Sequence, residues 1–141
     1  MTTQITLDDY WAGRDTVYAK DMTDDIRSNA EVTVSKVNLL LFHATRDGVV
    51  LISTNKRNLV NSGWRPPAVN GATKNAAPHS HHMTGKACDV SDPTGSLDKW
   101  CLANPDELEA IGLWQESPAS TPGWCHLQTL APHSGHRVFI P

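Results

Sequence analysis

No apolar run in this 141-residue chain approaches the length needed to cross a bilayer. The longest, residues 37–42, is broken by Asn38, whereas a spanning helix takes about 20 apolar residues. The N-terminus also lacks the basic and apolar regions of a secretory signal, so the expectation is a protein made in the cytoplasm without membrane insertion. Lys and Arg do not cluster, and 12 basic against 15 acidic side chains leave a net charge of −3, which argues against nucleic acid as a partner. Cysteine is scarce. The three present, Cys88, Cys101 and Cys125, cannot all pair within one chain and favour reduced, buried thiols. None has C-x-x-C spacing, which argues against a zinc-finger type of structural site. Repeats, low-complexity segments and linkers are missing too, so one domain over 1–141 is expected, a monomer able to bury roughly two thirds of its unfolded surface.

What is present reads as helices first and strands later. Thr23 before Asp24 and Asp25 is an N-cap followed by acids that complement the helix dipole. Ile26, Ala30, Val34, Val37 and Leu41 then recur at helical spacing until Asp47-Gly48 stops the helix. Its apolar stripe is a core face. Residues 49–53 and 58–62 read as short strands, the second ended by Pro66-Pro67, which leaves Arg65 at a strand terminus. Residues 70–81 have no period and read as an exposed loop. Residues 96–103 and 105–111 read as two short helices broken at Asn104-Pro105. The remaining strand candidates are residues 113–116, 124–129 and 137–140. This order predicts an α+β fold, with a small antiparallel sheet carrying the functional site, packed with a long N-terminal helix and short helices.

The chemistry concentrates in Ser80-His81-His82-Met83-Thr84-Gly85-Lys86-Ala87-Cys88-Asp89 and, much later, Trp124-Cys125-His126. Two imidazoles and a carboxylate form a zinc ligand set with the fourth position left for a water that the metal acidifies. Gly85 permits a sharp turn between His82 and Asp89, and Ala87 allows close packing. In period two, Asp89 faces the site while Cys88 and Val90 face the core; likewise Trp124, His126 and Gln128 share a face opposite Cys125 and Leu127. His43 sits at a helix end and His133 and His136 in a C-terminal turn, all three read as structural. His79 and His81 flank Ser80 and could line a cleft. Asp92, before Pro93, reads as a turn or cap residue.

These residues resemble a known family, the zinc D-Ala-D-Ala carboxypeptidases and peptidoglycan endopeptidases, related in fold to the hedgehog signalling domain. The pattern Ser-x-His-x-x-Gly-x-Ala-x-Asp is met at Ser80, His82, Gly85, Ala87 and Asp89. Ser62-Gly63-Trp64-Arg65 is similar to the family's upstream Ser-Gly-Tyr-Arg, and residues 124–129 and 134–141 to the end of small phage-type members. The likeness runs from about Asn29 to the last residue. It implies a hedgehog/DD-peptidase-like fold in which His82, rather than His81, joins Asp89 and His126 on zinc. Arg65 is implied to bind a substrate carbonyl or carboxylate, and Ser80 and Gln128 to lie on the substrate side. The implied substrate is the peptide part of bacterial peptidoglycan, reached after release from the host cytoplasm, for a phage lysin with the help of a holin. An endopeptidase acting on L-Ala-D-Glu or a cross-bridge is favoured over a carboxypeptidase.

One position departs from the family. Many relatives carry the catalytic carboxylate three residues before the last histidine, where this chain has Gly123. Glu116 is the expected substitute, because antiparallel pairing of residues 113–116 with 124–129 would set it beside the Trp124/His126 face. Glu107 and Glu109, on a helix, are weaker alternatives. The same departure keeps open a non-catalytic zinc-bearing structural or recognition module.

Overall fold

In the computed structural model, which describes residues 4–141, the first three residues of the expected 1–141 domain lie outside the description. The longest element is a helix, α3 (Asp24–Arg46), preceded by two short ones, α1 (Leu7–Trp11) and α2 (Arg14–Val17). The Thr23 hydroxyl accepts the Ile26 amide at 3.1 Å, so the helix starts where its cap was expected. Its inner face buries Ala30, Val34, Val37, Leu40, Leu41 and Ala44. Asn38, also inward, accepts the amides of Gln4 and Ile5 and donates to the Ile5 carbonyl. That side chain stitches the N-terminal segment, unread in the sequence, onto the long helix. No helix among the described residues is long and apolar enough to cross a membrane.

Five short strands follow: β1 (Val60–Ser62), β2 (Ala87–Ser91), β3 (Trp114–Glu116), β4 (Trp124–Gln128) and β5 (Val138–Phe139), in sheet order β1-β2-β4-β3-β5. β2 and β4 pair antiparallel in the centre, with Asp89 opposite His126. The expected wholly antiparallel sheet is corrected at one edge, since β5 runs parallel to β3. The chain reaches that edge through the turn at 129–137, which returns it in the direction of β3. The result is a single α+β fold with a small mixed sheet and several helices.

Three further expectations change. Residues 49–53 form no strand: they have no ladder partner, and Val50 is 71% exposed. Of residues 58–62 only the last three form strand, and at its start the Asn58 side chain accepts the Val60 amide while Asn55 accepts the Asn58 amide and donates to the Val60 carbonyl. The loop expected at 70–81 begins inside a helix, α4 (Pro67–Ala72), where Pro67 occupies the first turn that tolerates a missing N–H. By contrast α5 (Ser96–Ala103) and α6 (Pro105–Ile111) match their expected bounds. Asp92 caps α5, its two carboxylate oxygens accepting the Leu97 and Asp98 amides. All three cysteines are free and buried.

Candidate metal centre

Each ligand candidate is delivered by a different local device. His82 lies in a 3₁₀ turn (His81–Thr84) whose start is capped by Ser80 and whose exit is Gly85 at φ +79°. A side chain at Gly85 would put its Cβ 2.8 Å from the Ile26 carbonyl of α3, so only glycine permits both the turn and the close approach. Asp89 and His126 come from the paired central strands, with Cys88, Val90, Cys125 and Leu127 on the reverse, core-facing side. The turn aims His82 at the same point, and one ligand atom from each of His82, Asp89 and His126 lies within 4.8 Å of the others. All three side chains are buried.

The hydrogen bonds select the atoms left to coordinate. His82 Nδ1 meets the Gly63 carbonyl at 2.8 Å, a bond it can make only by donating, so Nε2 is the free lone pair and stands 3.3 Å from Asp89 Oδ2. Gln128 donates its amide nitrogen to the Leu130 carbonyl, which turns Oε1 toward His126 Nε2 at 2.9 Å. Nε2 therefore carries the proton, and Nδ1, 2.8 Å from Asp89 Oδ1, is the atom that would face a metal ion. Metal-bound histidines commonly have their second nitrogen held in this way. Phe139 adds an edge-on contact to the His126 ring at 6.1 Å.

Electrostatics agree with a cation site. Burial would raise the Asp89 carboxyl, but the charge and hydrogen bonds of His82 and His126 overcome it and hold Asp89 well below the usual carboxylate range. Burial lowers His82, keeping that imidazole neutral as a ligand must be. His126 is also pulled down by burial, yet its hydrogen bond to Asp89 and that carboxylate's charge raise it. A buried carboxylate between two nitrogen donors, with a proton on one of them, is a donor set that a divalent cation can enter by displacing that proton. The residues present thus could hold a metal ion.

The centre forms part of the floor of a cleft of about 640 Å³ whose lining includes Arg65, Ser80 and Glu116. Arg65 Nη2 donates to the Ser80 hydroxyl at 3.1 Å. Antiparallel pairing of Trp114 with Gln128 and Gln115 with Leu127 carries β3 along β4 toward Glu116 and His126. Glu116 is half-buried, and burial raises it above the ordinary glutamate value against the opposing pull of His126. Gln128, expected on the substrate side, is instead 3% exposed with both ends of its amide engaged, and it orients His126. His81 lines neither the ligand set nor the cleft, and His79, His133 and His136 are exposed. Gly123 sits at φ +97° and lines a separate, smaller cavity beside α5. A carboxylate at that position would need a strained backbone.

Two contributors escaped the sequence. The Gly63 carbonyl, which orients His82, carries no side-chain signal. Arg14, which lines the cleft, belongs to a four-residue helix without periodicity. No family model, curated protein or solved structure matches the chain.

Proposed function

We propose that this chain is a zinc peptidase acting on the peptide part of bacterial peptidoglycan, in the manner of a phage-type endolysin that cuts within the peptide. The observation that carries this reading is the His82–Asp89–His126 donor set at the floor of a cleft that also contains Arg65 and Glu116. Bound zinc would polarise a peptide carbonyl and acidify a water near neutral pH. Glu116 accepts a proton from the attacking water as its oxygen bonds to the carbonyl carbon, then passes a proton to the amine as the C–N bond breaks. Its raised proton affinity suits both transfers. Arg65, fixed by Ser80, donates to the carbonyl oxygen as negative charge develops there. Release to the cell wall, by a holin or another route, belongs to this proposal.

The test is turnover of purified peptidoglycan by the zinc-loaded chain, with mass analysis of the new ends to identify the bond. Glu116→Gln, nearly isosteric, is expected to retain zinc and fold and to slow hydrolysis by about 100-fold or more, the usual scale for a general base. A second reading, a non-catalytic zinc-bearing recognition module, draws on Gly123, whose position offers no carboxylate to the cleft. Stoichiometric zinc without any release of peptide ends would favour it.

A further inference from the structure

Arg14 and Arg65 both line the metal-bearing cleft. Among the described residues neither guanidinium has a carboxylate within the 4.0 Å of an ion pair; the close pairs lie elsewhere. Arg14 spends one donor on the Trp64 carbonyl, 2.9 Å from Nη1, and Trp64 is the residue just before Arg65. Arg65 spends one donor on Ser80, and its Nε is buried without a partner. Each is partly desolvated, and burial lowers both; the Asp89 charge favours the Arg65 cation, while Arg14 adds a smaller unfavourable charge to it. Holding two like charges together in a partly dry recess is costly unless an anion joins them. Planar guanidinium forks match the two oxygens of a carboxylate. Lys74 also lines the cleft and adds a third positive charge to it.

We infer that Arg14, set beside Arg65, is a specificity residue that takes a free carboxylate of the peptide substrate, an inference that rests on the peptidase reading above. Arg65 then serves the scissile carbonyl while Arg14 selects peptides with a carboxylate near that bond. Neutral or amidated peptides leave the two guanidiniums unpaired and bind less well. The N-terminal segment, tied to the sheet by the Tyr10 hydroxyl bond to the Ala87 carbonyl at 2.7 Å, places Arg14 there.

Two measurements on the zinc-loaded full chain test this. In the first, synthetic stem peptides are compared as free acids and as their amides. The free acid is expected to have a kcat/KM roughly ten- to a hundredfold higher, mainly through KM, the scale of a charge-assisted hydrogen bond. Arg14→Gln is expected to collapse that ratio toward one. An equal rate for acid and amide in the parent, or a ratio that survives Arg14→Gln, overturns the inference; a merely structural bond to Trp64 would slow both substrates together. The second measurement is an NMR titration with N-acetyl-D-alanine and N-acetyl-D-alaninamide, which needs no turnover. Preference for the acid, lost in Arg14→Gln, supports the anion site even if no peptide is cleaved, in which case the peptidase reading alone fails. Equal binding of acid and amide refutes the anion site.

Discussion

The two walls of the cleft are built differently. On the strand wall, made by β2, β4 and the adjoining 3₁₀ turn, His82 and His126 each have one ring nitrogen fixed, by the Gly63 carbonyl and by Gln128, so that the other faces Asp89. The opposite wall, residues 73–80, is a loop held by side-chain bonds such as Asn70 Nδ2 to the Ala77 carbonyl and Thr73 Oγ1 to the Val69 carbonyl. Lys74, Asn75 and Ala77 are exposed there. A metal ion punishes displacement of a ligand by fractions of an ångström, so its wall must be rigid. A peptide can be met by a surface that adjusts, and loops with few buried contacts are where adjustment is cheapest. Arg65 sits at the junction: its amide bonds to the His82 carbonyl, while its side chain reaches the loop at Ser80.

If the walls divide their labour in this way, strand-wall changes should move zinc content and loop-wall changes should move KM. The largest effect is expected from His82→Ala combined with His126→Ala, which should abolish stoichiometric zinc by metal analysis and remove all peptidase activity, because an incomplete ligand set binds zinc poorly. Undiminished zinc in that variant would place the centre elsewhere. Next comes Arg65→Lys, expected to retain full zinc and lose about ten- to a thousandfold in kcat/KM, since charge is kept but the planar fork is lost. Arg65→Ala should be worse; parent rates in both would make Arg65 a bystander. Gln128→Leu should weaken zinc affinity by about 10- to 100-fold in a chelator competition, with activity restored by excess zinc. If its defect persisted at saturating zinc, Gln128 would belong to the substrate side after all. The smallest change is expected of Asn70→Ala, roughly a two- to tenfold rise in KM with zinc unaltered, the worth of one neutral hydrogen bond. Loss of zinc in this variant would erase the distinction between the walls.

Legibility followed the range of the signals. The cap at Thr23, the helical stripe of α3 and the Asn104-Pro105 break between α5 and α6 are local, and each could be read from neighbours a few residues apart. The alternation around Asp89 and His126 was likewise readable, since strand geometry alone sends Cys88 and Cys125 to the other face. Gly85 was legible as a turn residue, but that its missing side chain also admits α3 was not. Residues 49–53 misled because β-propensity has no meaning without a partner strand, and none pairs with them.

The amino-acid order by itself determined which residue types could bind a metal, on which strand faces Asp89 and His126 lie and that a long capped helix precedes a run of short strands, whereas the choice of His82 over His81 rested on the family resemblance. Those properties follow from residue chemistry and from the 3.6- and two-residue periods of the backbone. Only the tertiary structure decided that β5 returns parallel to β3, that Gln128 bonds His126, that a main-chain carbonyl at Gly63 engages Nδ1 of His82 and leaves Nε2 facing Asp89, and that Arg14 and Arg65 line one cleft. Each of the last three joins groups through a particular distance and direction in space, and the parallel return depends on where a whole sheet edge lies; neither is written in the identity of any one residue.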